Sequence, residues 1–462
     1  MVGRDVVRQL RGWLGARARQ LGPEGGDAAL YLAAAVFAVI TAAFSTISLY
    51  RVWAEIAIAP YVVAALVSVV LARRPAVPRP AVRAPAVGPA ADGAPPASGR
   101  WRGARIWVFA FVLLGGTLVP LAVEVSLRGG PATSTSHVQP EVVVIDQAAH
   151  LLASGKDPYH AMAGKNGKVL SAVPGEPAYE SFFPYLPLMA IFGLPSDTHH
   201  PIRLTDARIF FSLVTLLVAG AALALCRAPT ERKVRALQVL VVLPTAALPL
   251  ATGGDDMPIV AILLLGMVLA QRRYPFMSGL VLGIVSAMKF TAWPLAALAL
   301  FAARDRTGKR SPLRMLLGML VVVGPVVVPF LLQNAHAFVV NVVLFPLGLA
   351  GVASPAASPL PGHLIVTAFP ALHRALPLVV AAIGVTLLVR HLVRHPPSKA
   401  SQVTSLAAWV MLVAIVFAPA TRIGYLLYPI NFFVWAFMLR GAEALEPVDQ
   451  LARPAPVFAS TG

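Results

Sequence analysis

The sequence predicts an all-α, polytopic integral membrane protein, and three observations carry that expectation. Of 462 residues, 58% are hydrophobic and only 13% charged, whereas soluble domains hold about 25% charged residues. The apolar residues gather in runs near the ~20 that a helix needs to cross hydrocarbon. The 38 Lys and Arg outnumber the 20 Asp and Glu, and they cluster between alternate runs, as membrane topology rather than nucleic-acid binding demands. One cysteine, Cys226, leaves no disulfide framework and no cysteine metal site.

A basic tail over 1–28, with Arg4, Arg8, Arg11, Arg17 and Arg19, lacks the order of a cleavable signal peptide and is expected in the cytoplasm. Runs at 29–49 and 53–72, broken at Tyr50–Val52, read as a leading transmembrane hairpin. The Pro-, Ala- and Arg-rich stretch 73–105 reads as a disordered cytoplasmic linker. The main body then spans 106–440, followed by a cytoplasmic tail over 441–462. Its first crossing, 106–123, delivers the chain to a long outer loop over 124–208. Further runs fall at 209–226, 236–252, 257–271, 315–332, 375–390, 405–420 and 424–440. The stretch 276–303 has basic residues on both flanks, which implies two half-helices that enter and return around Lys289 and Pro294. The run 184–195 is too short to cross comfortably and suits an interfacial or re-entrant helix. The total is about 10 to 12 transmembrane or re-entrant helices. Sidedness has its own check: the segments assigned to the cytoplasm hold 28 Lys and Arg against 9 Asp and Glu, while the outer loop holds 6 against 8. That asymmetry places the N-terminus inside.

The stretch PEVVVIDQAAHLLASGKDPY, 140–159, organises the outer loop. Val142, Ile145, Ala149 and Leu152 recur at helical spacing, so it is expected to form an amphipathic helix on the membrane face, stopped by Gly155 and the Asp157–Tyr159 turn. Ionisable groups near a membrane face are functional candidates. On the outer side these are Glu141, Asp146, Asp255, Asp256, Lys289, His363 and Arg422. Carboxylates without a His or Cys cluster suit general-base work on a hydroxyl, and isolated Lys and Arg suit an anionic phosphate. The bland alternatives are a solvated face for Glu141 or Asp146, a helix N-cap for one of Asp255 and Asp256, snorkelling for Lys289, a turn anchor for Arg422, and interfacial belt roles for Tyr425 and Tyr428. The pair His199 and His200 is too isolated to form a metal site.

Several stretches resemble glycosyltransferase family 87, the polyprenyl-phosphate-mannose-dependent α-mannosyltransferases of the GT-C fold, in its actinobacterial branch. They are PEVVVIDQAAHLLASGKDPY with FFPYLPLMAIFGLP, GGDDMPIVAILLLG, GLVLGIVSAMKFTAWP, LFPLG with SPAASPLPGH, and PATRIGYLLYP, together covering most of 139–430. The resemblance implies a bacterial plasma-membrane hexosyltransferase with an extracytoplasmic active site. Its donor would be a polyprenyl-phosphate sugar and its acceptor a lipid or glycan hydroxyl, with inversion and with neither cofactor nor metal. It implies a loop carboxylate as base, Glu141 with Asp146 as the competing and supporting candidate. Lys289, Arg422 and Tyr425 would meet the donor phosphate, and Asp255, Asp256, Tyr159 and His363 would contact substrate. The family pattern has Asp at the position that Glu141 occupies here. The alternative from another class is a transporter or flippase of a lipid-linked or anionic solute, although only one broken hairpin is legible and transporters favour matched pairs.

Overall fold

A computed structural model describes residues 25–73, 98–128, 137–159, 178–197, 202–303, 311–352 and 356–445. The basic residues of the N-terminal tail, most of the Pro-rich linker, Lys165, Lys168, the His199–His200 pair and the segment after 445 lie outside them. Among the described residues nine helices are long and apolar enough to cross a membrane, and no strand occurs beyond one isolated bridge between Ala357 and Thr421. The protein is an all-α, multi-pass membrane protein.

The chain opens with α1 (Gly25–Phe44) and α2 (Ser48–Arg73). The break falls at residues 45–47 rather than at Tyr50–Val52, because Ser45 Oγ accepts from Ile47 N and turns the chain there. Helix α3 (Gly103–Leu127) reaches back as helix to Ser98, so the linker's last residues belong to it. The leading hairpin is built into the body. Helix α3 carries a π turn at Leu114–Leu118, and α6 (Thr230–Thr252) carries another at Gln238–Val242, just before Pro244 restarts it. A π turn or a proline frees carbonyls that hydrocarbon cannot satisfy. Trp53 Nε1 donates to Gly116 O, Tyr61 Oη to Val242 O and Thr117 Oγ1 to Val241 O. At the opposite end buried Asp27 binds Arg105 and Arg235, and Gln238 donates to both Asp27 and Tyr31.

Helix α4 (Pro140–Ala153) starts on Pro140 at its first position and ends with Gly155 at φ 69°. It does not lie amphipathically on a lipid face. Val142, Val143, Val144, Ile145, Asp146, Ala148 and Ala149 are all buried, because a 3-10 segment at Pro187–Asp197 lies across it. Gly193 of that segment permits the approach: a Cβ there would stand 2.7 Å from Ile145 O. Helices α5 (Ala207–Leu225), α6 and α7 (Asp256–Gln271) follow.

The expected half-helices are α8 (Pro275–Ser286) and α9 (Phe290–Ala302), with Lys289 extended between them at φ −151° and ψ 139°. Non-helical backbone at this depth must be satisfied by protein. Met288 O accepts from Leu186 N at 2.9 Å, Ala287 O from Leu188 N at 3.1 Å and Ser286 O from Trp293 Nε1 at 2.9 Å. The short run at Pro187–Asp197 and the residues just before it thus cap the break. Helix α10 (Ser311–Gln333) packs on α8 through Gly279, Gly283 and Gly318. The segment read as plain outer loop contains α11 (Ala335–Leu344) and α12 (Pro361–Ala368), and α13 (Ala375–Arg394), α14 (Ala400–Phe417) and α15 (Ile423–Ala444) are the remaining described helices.

Candidate functional site

Four chain segments are tied to one another around a single cavity. The start of α4 is pinned to the α6–α7 turn, where Gln139 N donates to Thr252 O at 3.0 Å and Gln139 Nε2 to Thr252 Oγ1 at 2.7 Å. That turn is tight because Gly253, at φ 113°, adopts a conformation costly for other residues, and a Cβ on it would meet Val142 at 2.5 Å. Glu141 and the pair Asp255–Asp256 are thereby made neighbours. The α14–α15 turn closes the far side. The bridge at Thr421, with Thr421 N donating to Ala356 O and Ser358 N to Thr421 O, fixes the backbone one residue before Arg422, and Ile423 N donates to Ser358 Oγ just after it. Arg422 Nη1 donates to Glu141 Oε1 across 281 positions of sequence.

The cavity between these segments, about 200 Å³, is lined by Glu141, Tyr185, Lys289, Thr291, Arg422 and Tyr425, with Glu180 as a second carboxylate. Its apolar wall includes Phe182 and Phe345, stacked at 4.6 Å between ring centroids. Arg422 keeps a third of its side chain exposed (33%) and Glu141 less (16%). Glu141 Oε2 is buried without a hydrogen-bond partner among the described residues. Burial lowers an arginine's proton affinity, but Glu141 together with Tyr425 and Tyr185 outweighs it and Arg422 is held above its ordinary value. It is a permanent cation here.

Lys289 has acids in space that sequence order does not reveal. Its Nζ donates to Asp255 Oδ1 and Oδ2 at 3.0 and 2.9 Å and to Asp256 Oδ1 at 2.5 Å. An ammonium has three N–H donors, so these contacts occupy it. Asp255 stands at the N-cap position of α7 but makes no capping bond; its carboxylate serves the lysine. Tyr428 Oη donates to Asp256 at 2.5 Å and lies 2.6 Å from Thr291 Oγ1, so the lysine cluster touches the cavity through Lys289 and Thr291. Tyr428 is fully buried, so it holds no belt position at the membrane surface.

The other expected residues are distributed as follows. Asp146 does not line the cavity. It pairs with Arg128 at 3.2 Å, and Arg128 with Asp206 at 2.9 Å, in a buried network where Arg208 also holds Asp206 at 2.9 Å. Burial, more than the opposing Arg128 charge, raises the Asp146 carboxyl to about 7. At Asp206 burial is outweighed by Arg208 and then Arg128, which hold it below the usual carboxylate range. Tyr159 stands behind the wall, donating to Tyr185 O at 2.9 Å, and His363 Nδ1 lies 3.0 Å from Pro419 O, bracing the turn that carries Arg422. Tyr425 lines the cavity with Lys289 Nζ 5.9 Å from its ring centroid.

Sequence reasoning passed over Glu180, Tyr185 and Thr291 at the cavity, and Asn341 behind it. Asn341 Oδ1 accepts from Phe183 N at 2.8 Å, and its Nδ2 donates to Tyr159 O at 3.1 Å, joining α11 to the cavity wall. A polar residue inside an apolar run was the available signal. Among the described residues no three His, Cys, Asp or Glu side chains converge as metal ligands. Comparison of the chain with family models, with curated proteins and with solved structures finds no match.

Proposed function

We propose that this protein is an integral membrane glycosyltransferase. It transfers a hexose, mannose in the first instance, from a polyprenyl-phosphate donor to a lipid or glycan hydroxyl on the extracytoplasmic side of a bacterial plasma membrane. The observation that carries the reading is the Glu141–Arg422 pair on one cavity wall: a carboxylate with a free oxygen next to a permanent cation that is partly exposed. Acceptor hydroxyls are poor nucleophiles unless a base removes the proton as the bond forms. Phosphate leaving groups need positive charge where theirs develops. Glu141 Oε2 takes the proton of the acceptor hydroxyl. The acceptor oxygen bonds the anomeric carbon from the side opposite the phosphate, the bond from that carbon to the phosphate oxygen breaks, and polyprenyl phosphate leaves beside Arg422. Single displacement inverts the anomeric centre.

The cavity favours Glu141 over Asp146 as base, since Asp146 is engaged with Arg128 and lies outside it. Lys289, occupied by two aspartates, supports the site as the pin of the broken hairpin, and Arg422 is the cation offered to a phosphate. The test uses membranes supplied with labelled polyprenyl-phosphate mannose. Glu141→Gln lowers transfer by about 10²- to 10⁴-fold at unchanged protein abundance, the span expected for losing a general base, whereas Asp146→Asn retains it. Undiminished transfer in Glu141→Gln removes this carboxylate from the mechanism.

A further inference from the structure

Resting on the glycosyltransferase reading, the geometry points to a second role for Arg422. It is a fork that holds the base with one arm and the donor phosphate with the other, so that a single guanidinium sets the distance between proton acceptor and leaving group. Three observations lead there. Arg422 Nη1 is committed to Glu141 Oε1, and this is the guanidinium's one hydrogen bond to a described residue. Nε and Nη2 therefore remain available on a side chain that lines the cavity. Arginine presents five donors in a rigid plane, so two acids can be served at once at a fixed separation. Finally, the backbone under Arg422 is clamped on both sides, by the Thr421–Ala356 bridge and by Ile423 N to Ser358 Oγ. With its backbone held in place, Arg422 offers its remaining N–H groups to an arriving anion from a fixed anchor beside Glu141.

The neighbouring cation cannot substitute. Lys289 Nζ already contacts three carboxylate oxygens, and moving it would strand Asp255 and Asp256 in a buried place. The competing arrangement is a swap, in which an arriving phosphate takes Arg422 away from Glu141. The two differ in what Glu141 does to phosphate affinity. In a swap Glu141 competes with the donor; in a fork it does not.

The experiment uses purified full-length protein and polyprenyl monophosphate, the leaving group itself, as binding probe. Glu141→Gln keeps a carbonyl oxygen for Nη1, so the fork predicts a Kd within about threefold of wild type, the small residual reflecting one lost neighbouring charge. Tightening beyond about tenfold shows that Glu141 had been competing and overturns the fork. Arg422→Lys keeps the charge but cannot fork. Its phosphate Kd rises no more than about tenfold, while kcat falls at least about 100-fold, the loss expected when a base is misplaced. A kcat within threefold of wild type also overturns it. Thermal unfolding of each variant is measured first; should Arg422→Lys not fold, the Glu141→Gln binding result decides alone. Absence of sugar transfer by the wild type removes the glycosyltransferase reading, and the phosphate-binding comparison remains measurable on its own.

Discussion

Replacing Gly279 by alanine tests whether the broken hairpin is held in place by the close contact of α8 with α10. A Cβ at Gly279 would lie 2.0 Å from Met315 O and 2.9 Å from its carbonyl carbon. Ordinary contact begins near 3.4 Å, so the helices must part by more than 1 Å at this level. Gly283 faces Met319 O at 2.8 Å and, from the other helix, Gly318 faces Phe276 O at 2.5 Å, so the whole seam opens with it. Seams of small residues four apart are how membrane helices gain dispersion contact without a hydrophobic driving force. Alanine itself favours helix by ~1 kcal/mol over glycine, whereas forced overpacking costs ~1–3 kcal/mol. Backbone oxygen cannot rotate away, which places the cost at the upper end and the net loss at ~1–2 kcal/mol. Gly324→Ala, on the same α10 with open space around its Cβ position, serves as the control and gains up to ~1 kcal/mol. Unfolding of the purified protein in a fixed detergent, by denaturant or by heat, supplies both values. Because α8 ends at the break that holds Lys289, Gly279→Ala is also expected to lower the proposed transfer activity more than its stability loss alone requires. If Gly279→Ala proves as stabilising as Gly324→Ala, the seam is not tight and α8 is positioned by something else.

Asp146→Asn separates a buried carboxylate's cost from its ion pair. The Asp146 carboxyl is raised above its unfolded value, so the folded state binds the extra proton and stability from this group is greatest below about pH 4. It declines as pH rises toward about 7. The variant should therefore gain on wild type between pH 5 and pH 8, since Arg128 keeps Asp206 as partner; a loss that deepens at high pH contradicts this. Asp206→Asn, whose parent carboxyl is held below its usual range, should destabilise at neutral pH and lose its effect on acidification, read by melting scans across pH. Tyr61→Phe removes the hydroxyl that serves Val242 O and should cost ~1–3 kcal/mol in unfolding measurements, the penalty of an unpaired carbonyl in a dry place; a neutral outcome would mean that the leading hairpin does not brace the π turn of α6.

How much of this was legible in sequence depended on whether the signal was local. Crossing helices were, because a run such as 207–225 declares itself by length and composition. The broken hairpin was also legible, since basic residues at both ends of 276–303 forbid a single crossing. Partner choice was not. Glu141 meets Arg422 from 281 positions away, and Lys289 meets Asp255 from 34, distances over which a single sequence carries no pairing information. Helix α4 shows the same limit from the other direction. Its acid at Asp146 suggested a wet face, yet a carboxylate facing Arg128 and one facing water look alike in sequence. Helices α11 and α12 escaped notice because they are short and lie beside prolines, and short helices lean on tertiary partners, as α11 does on the Asn341 bonds.

Side-chain length at Glu141 bears on the departure from the family pattern that the sequence resembles. Glu141 sits in the first turn of α4, with Pro140 and Val144 also lining the cavity. Its reach is one methylene longer than aspartate's, and it uses that reach on Arg422, a residue whose backbone is fixed by the strap at 356–358. An aspartate at the same backbone position would reach one methylene less far toward Arg422. The Glu therefore suits a site in which the partner arginine's backbone is held in place. In that geometry the placement of Glu141 is set by its bond to Arg422, and Lys289 is left to hold two buried aspartates and the hairpin break in register.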